Sequence, residues 1–338
     1  MSIVEADIAR LMAEMAVPGL ALALICDGRV VQVATYGTRN AECWEPVGEN
    51  TIFEAASLSK PLFAYAVLQL VDAGRLALDE PLSARLPDYV RGDPRADAIT
   101  ARHVLGHTTG LPNWRSDAHP LRTYFVPGDR FSYSGEGFVY LQRAMERITG
   151  EPLDALADRL VFGPLRMRHS RFVWQERFEP DYALPHDAEQ RPGIKVKPAE
   201  GNAAYSLQTT ASDFARFLAA VLAGTELKPS TARLWLDPCV HVPKDRFQCL
   251  DADGPELDRR VAWGLGWGLE PDAGTFFHWG SNVGASAFAI GAPGSRTAIV
   301  ALANGDNGLS IMPEIVGAVI PGPRPSLTWL GYGPEQSL

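Results

Sequence analysis

Hydrophobic positions along the chain change period several times. Val4, Ile8, Leu11, Met12 and Met15 recur at helical spacing, which predicts an amphipathic helix over residues 3–16 that ends at Val17-Pro18-Gly19. Residues 20–26 and 30–36 are short β-rich runs joined by Asp27-Gly28, a hairpin signal. Residues 37–51 read as loop. From residue 60 to 73, Leu62, Phe63, Ala66, Val67, Leu70 and Val71 cover most of a helix circumference, so this helix is expected to lie buried between other elements. Pro61 is tolerated only in a first turn, so the helix starts within a residue or two of Ser57. Asp72-Ala73-Gly74 supplies its end.

Residues 75–200 are rich in Pro and Arg, carry short helical patterns near 138–147 and 152–160, and show no convincing alternation. They read as a mostly helical insertion, with 180–198 as a surface excursion. A helix returns over 212–222, with Ser212 as N-cap and Phe214, Phe217, Leu218 and Val221 inward. Residues 263–269, 275–279, 285–291 and 297–303 are closely spaced β runs, which predicts an antiparallel meander. Residues 309–320 close as a helix, and the Pro- and Gly-rich tail 321–338 is expected to wrap the surface. The fold class is α/β in the α+β sense, an antiparallel sheet flanked by helices. Residues 1–74 and 201–320 build the sheet domain, and 75–200 form the helical insertion domain. The cleft between them is the expected site.

Composition narrows the function. The chain has 338 residues, a formal charge of −9 and no basic block, which argues against nucleic acid or an anionic membrane surface as partner. No apolar run reaches the roughly 18 residues of a membrane span. Residues 1–20 lack a charged and then apolar leader pattern, so a cytoplasmic location is expected, or a periplasmic one if Met1 replaces a removed signal. Cys26, Cys43, Cys239 and Cys249 are sparse and lack C-x-x-C spacing. Reduced thiols are expected; the alternative is a disulfide or metal site from Cys239 and Cys249 with His241 between them. His103 and His107 form H-x-x-x-H, but Val104 stands where a zinc peptidase needs glutamate. No metal and no cofactor is expected, and no G-x-S-x-G occurs.

Candidate chemistry starts at Glu54-Ala55-Ala56-Ser57-Leu58-Ser59-Lys60. At a helix start, Ser57 and Lys60 lie one turn apart on one face. A lysine there can take the serine proton if burial and nearby cations lower its pKa. Alone, S-x-x-K also fits an ordinary helix start with a solvated lysine. Phe131-Ser132-Tyr133-Ser134-Gly135 offers an exposed turn tyrosine that could serve as a phenolate base near the lysine. Phe277-His278-Trp279-Gly280-Ser281 ends a predicted edge strand. There Gly280 permits close approach, Ser281 N–H can join Ser57 N–H as an oxyanion donor, and His278 can orient substrate or tune Tyr133.

The three pieces together, in this order, resemble the serine hydrolases of the class C β-lactamase and penicillin-recognising D-peptidase superfamily, which also contains many esterases. The resemblance covers residues from about 4 to 320. It is supported by Val17-Pro18-Gly19-Leu20, His107-Thr108-Thr109-Gly110-Leu111, Val126-Pro127-Gly128, Pro164-Leu165-Arg166-Met167, Leu207-Gln208-Thr209-Thr210-Ala211-Ser212-Asp213 and Asn304-Gly305. It implies a β-lactamase/transpeptidase-like fold and an acyl-enzyme on Ser57. Lys60 would deprotonate Ser57, Tyr133 would shuttle the proton, and Ser57 and Ser281 N–H groups would form the oxyanion hole. His278 stands where the family's third motif has Lys or His.

Two departures bear on substrate. Gly135 replaces the asparagine of the usual Y-x-N, and H-x-G replaces K-T-G, so recognition of β-lactams or peptides is weakened. Trp279 suggests a pocket for apolar acyl or alcohol groups; Trp114 and Trp174 are expected to pack in the core, with wall positions as the alternative. His107 is expected to hydrogen-bond within its own turn. The expected activity is hydrolysis of small-molecule esters or amides. The alternatives are a β-lactamase, a D-aminopeptidase or D-alanyl carboxypeptidase, and an inert binding or scaffold protein of the same fold.

Overall fold

The structure is a computed structural model that describes residues 5–251 and 254–333. Val4 of the first expected helix and residues 334–338 of the tail lie outside them. The strands are β1 (Gly19–Cys26), β2 (Arg29–Asn40), β3 (Glu45–Pro46), β4 (Phe53–Ala56), β5 (Leu207–Thr209), β6 (Val240–Pro243), β7 (Leu257–Trp263), β8 (Gly268–Glu270), β9 (Thr275–Asn282), β10 (Ala285–Ala292) and β11 (Thr297–Ala303). The α-helices are α1 (Glu5–Glu14), α2 (Ser59–Asp72), α3 (Ala101–Leu105), α4 (Gly135–Thr149), α5 (Leu153–Ala157), α6 (Ala211–Ala223), α7 (Pro229–Trp235), α8 (Met312–Val319) and α9 (Pro325–Trp329). One antiparallel sheet runs β3-β2-β1-β11-β10-β9-β8-β7-β6, and β4 pairs with β5 in a small second sheet. The fold is β-lactamase/transpeptidase-like, a large antiparallel sheet with helices.

Strand β1 shows why the centre of the sheet is apolar on both sides. Ala21, Ala23 and Ile25 enter the core shared with Leu62 and Phe63 of α2 and Phe214, Phe217 and Leu218 of α6. Leu20, Leu22 and Leu24 enter the opposite core with Ile8 and Met12 of α1, Ile315 and Val316 of α8, and Trp329 of α9. A strand covered on both faces reads as a continuous apolar run, as residues 20–26 do. Residues 75–200 contribute α3, α4 and α5 and no named strand. They cover the far side of α2, which is apolar all round because it is buried on all sides.

Several expectations are corrected. The run 263–269 is two strands, β7 and β8, since Gly264, Leu265 and Gly266 turn between them. Thr210, not Ser212, caps α6, accepting from Asp213 N–H. Residues 37–51 are not all loop, because β2 continues to Asn40 and pairs with β3. The excursion 180–198 is only partly superficial. Tyr182 donates to Glu54 Oε1, and fully buried His186 accepts from Ala41 N–H and bonds Asn304 O. The described part of the tail forms α9, and Trp329 Nε1 donates to Pro243 O at 2.7 Å from within the core.

Candidate active site

Ser57 lies half-buried in the turn between β4 and α2. Ala56 before it holds φ at 46°, a left-handed conformation that costs a non-glycine residue about 1–3 kcal/mol and marks functional sites. Ser57 N–H donates to no acceptor among the described residues. One turn on, Lys60 is 1% exposed. Its Nζ donates to Ser57 Oγ at 2.9 Å and to Ala204 O at 2.8 Å. The pairing of β4 with β5 brings Ala204 to this position. Burial holds the Lys60 ammonium well below its ordinary range. Burial alone does this; the expected help from neighbouring cations is absent. Ser59 is spent structurally, donating to Ala56 O and accepting from Leu207 N–H.

Tyr133 stands just before α4, and is buried rather than exposed on its turn. Its ring lies 4.7 Å from Lys60 Nζ. Its hydroxyl makes no full hydrogen bond, and Ser57 is the side chain that favours ionisation there. Burial outweighs that pull and pushes the phenol up, which works against the partial phenolate that the sequence allows. His107 stacks on it at 4.2 Å and 29°. Nδ1 of His107 accepts from Ser134 N–H at 3.0 Å, so the neutral ring carries its proton on Nε2, which has no partner among the described residues. Burial, then Lys60 and His278, hold His107 well below the usual imidazole range. The residue is therefore a support for Tyr133 and reaches 27 positions along the chain, beyond the local turn expected of it. Its φ of 54° is a second non-glycine left-handed position at the site.

The third motif lies on β9, which is interior to the sheet. Strand β8 pairs only with Thr275, Phe276 and Phe277, so the half of β9 from His278 onward lacks a β8 partner and is locally an edge. Gly280 packs against the nucleophile turn: a Cβ there would stand 2.4 Å from Ala55 O and 3.1 Å from Ser57 N. This contact brings Ser281 beside Ser57. His278 is fully buried. Its Nδ1 bonds the carbonyl of Trp279 at 2.7 Å, and burial, with Lys60 nearby, pushes its pKa down to about 3. It lies 6.4 Å from the Tyr133 ring and outside the cavity lining. The expected contact with substrate is corrected: strand alternation turns His278 inward while Trp279 and Ser281 face the cavity.

That cavity holds about 400 Å³. Ser57, Lys60, Tyr133, Trp279 and Ser281 line it together, with Trp114 and Tyr205 as further aromatic walls. Trp114 is 45% exposed and so is a wall, not core. Trp174 is half-buried and packs against Phe178 and Tyr182, away from the cavity lining. Gly135 lies beneath Trp114 and outside the lining. Lys60 is the one Lys or Arg among the described residues that line this space, and no carboxylate lines it. A larger groove of about 1020 Å³ between α9 and the start of β9 contains none of these groups.

Among the described residues no group of three or more His, Cys, Asp and Glu side chains could hold a metal ion. Cys239 and Cys249 are both free. No described helix is long and apolar enough to cross a membrane.

A serine hydroxyl against a buried amine, beside a phenol and a glycine-backed strand, is the arrangement of a serine acyl-transfer centre. The sequence pattern of the beta-lactamase family matches residues 4–315, and the chain belongs to that family of serine hydrolases. It is 34% identical to esterase EstB of Burkholderia gladioli over 211 residues, 52% of this chain and 54% of EstB. The match thus spans about half the length of that esterase. Penicillin-binding protein 4 of Amycolatopsis lactamdurans is 29% identical over 88% of this chain and 84% of its own. The octameric penicillin-binding protein homologue from Pyrococcus abyssi superposes with a TM-score of 0.78 at 23% identity, over 99% of this chain and 78% of that one.

Proposed function

We propose that the protein is a carboxylesterase-type serine hydrolase acting on small, uncharged esters, and on amides more slowly. The observation that carries this reading is the aromatic cavity around Ser57 and Lys60, whose lining offers, among the described residues, no cation free to bind a substrate carboxylate. The likeness to EstB supports ester substrates.

In the proposed mechanism, neutral Lys60 takes the Ser57 proton as Oγ attacks the acyl carbonyl. Ser57 and Ser281 N–H groups stabilise the oxyanion. The buried phenol of Tyr133 donates its proton to the departing alkoxide and regains one from the Lys60 ammonium. Water then attacks the acyl carbonyl as its proton passes to neutral Lys60, relayed through the Tyr133 hydroxyl. The intermediate collapses and the Oγ–carbon bond breaks. Ser57 Oγ regains its proton from the Lys60 ammonium, and the acyl group leaves as the carboxylic acid. His278 stays neutral throughout and acts as packing.

The test compares short and long p-nitrophenyl esters, a chromogenic cephalosporin and D-alanyl amides, beside Ser57→Ala. Ester turnover that vanishes in Ser57→Ala supports the proposal. Turnover that survives the substitution refutes the mechanism. Strong cephalosporin turnover without ester activity refutes the substrate class, and no reaction with a fluorophosphonate probe favours an inert binding protein.

A further inference from the structure

Two strands bring the backbone donors of Ser57 and Ser281 together, and one buried carboxylate joins those strands. Glu54 stands on β4, shortly before Ser57, and Asn282 follows Ser281 at the end of β9. Asn282 Nδ2 donates to Glu54 Oε2 at 3.0 Å, and the Tyr182 hydroxyl donates to Glu54 Oε1 at 2.9 Å. Glu54 is 3% exposed, and both of these donors are neutral. Burying a carboxylate beside neutral partners costs stability, so packing alone does not account for it. The tie falls where β9 is otherwise unsupported. Beyond Phe277 the strand has no β8 partner, and after Asn282 it turns back into β10 through Val283 and Gly284. The turn is itself anchored: Gly284 O accepts from His186 N–H at 3.0 Å, and Gly284 N–H donates to Asp306 Oδ1 at 2.6 Å. At Gly280, contact stops the strand from closing further on the nucleophile turn, since a Cβ there would stand 2.4 Å from Ala55 O. At Asn282, the bond to Glu54 stops it from opening. Ser281 lies between these two restraints. Glu54 is outside the lining of the catalytic cavity, so it can act on the reaction only through position.

We propose that Glu54 is a positioning residue that, through Asn282, sets the separation of the Ser57 and Ser281 N–H groups and so the width of the oxyanion hole. This rests on the serine-hydrolase reading above. The ground-state ester does not need both donors at a fixed separation, whereas the tetrahedral oxyanion does. Untying β9 therefore acts on kcat and spares KM.

Kinetics on p-nitrophenyl acetate, expressed per Ser57 titrated with a fluorophosphonate probe, separate positioning from loss of folded protein. Glu54→Leu and Asn282→Ala should each lower kcat roughly tenfold with little change in KM. The double variant should be no slower than the slower single variant, because both remove one tie. Glu54→Gln keeps an acceptor for Asn282 and should retain most of the wild-type kcat. Phenylboronic acid, which becomes tetrahedral on Ser57 and presents an oxygen to the donors, should bind each slow variant more weakly by a similar factor. If Glu54→Leu keeps the wild-type kcat per titrated site, or loses efficiency through KM alone, the tie does not set the hole although Ser57 turnover persists. A Glu54→Gln variant as slow as Glu54→Leu, or losses that multiply in the double variant, overturn it equally. If wild-type turnover and labelling are both missing, the hydrolase reading fails and this one with it.

Discussion

Gly280→Ala tests how the strand and the nucleophile turn fit together. The added methyl meets Ala55 O at 2.4 Å, Ala56 Cβ at 3.1 Å and Ser57 N at 3.1 Å. These atoms are backbone or fixed directly to it, so no side chain can swing away. Either β9 or the Ala56–Ser57 turn must move, and Ala56 is already strained at a φ of 46°. Overpacking of this kind costs about 1–3 kcal/mol, which corresponds to a fall in Tm of about 2–6 °C for a chain of this size. The kinetic loss should be larger. A shift of about 1 Å in a reacting group costs on the order of 10²-fold, and loss of one oxyanion donor costs about 10²–10³-fold. The expected result is a kcat/KM on p-nitrophenyl acetate lowered at least ~10²-fold, with a folded protein and a modest loss of Tm. Gly294→Ala, where a Cβ meets nothing within 4 Å, is the control and should match wild type. A Gly280→Ala enzyme within about threefold of wild type would refute the reasoning, because the displacement estimated from these contacts would not have occurred.

Lys60→Met should lower kcat/KM roughly 10³-fold or more yet raise Tm. The folded pKa of Lys60 lies below its ordinary 10.5, so the unfolded chain binds the extra proton between those values and wild-type stability rises with pH there. The Tm gain of Lys60→Met should therefore be largest at low pH and shrink towards the unfolded lysine pKa; a gain independent of pH refutes the burial of a neutral amine. His278→Asn should leave the acidic limb of the kcat/KM profile in place, because His278 is neutral down to about 3; disappearance of that limb would reassign it from Lys60 to His278. His107→Asn keeps an acceptor for Ser134 N–H and tolerates the left-handed backbone but loses the ring stacked on Tyr133. It should lower kcat roughly tenfold with little change in KM, and an unchanged kcat would reduce His107 to core packing.

The site was legible where chemistry and local backbone coincide. Ser57 and Lys60 follow from the spacing of a helix start, and the apolar circumference of α2 implied a buried helix behind them. Gly280 was legible as a point of close approach. His278 was misread because a strand histidine looks alike whether it faces cavity or core; only the packing around β9 decides. Tyr133 looked exposed because its sequence is turn-like, whereas the turn is covered by His107, Trp263 and Trp279 from distant segments. Asn113, which also lines the cavity, carried no local signal, and Trp114 was given a wall position only as the alternative to core packing. Their placement comes from hydrogen bonds to the start of α4 about 22 residues later. In the fold, long apolar strands such as β1 and β11 were plain, but β4 and β5, only four and three residues long, were invisible. That pair is the one that sets Lys60 against Ala204.

The central claim is that a buried, neutral Lys60 makes Ser57 a nucleophile that is acylated in turnover. Intact-mass analysis of protein quenched during p-nitrophenyl ester turnover, followed by peptide mapping, tests it directly. The account predicts one acyl adduct, carried on Ser57, that is absent from Ser57→Ala and suppressed in Lys60→Met. Turnover with the adduct on another residue, or with equal labelling of Ser57 in Lys60→Met, would contradict it.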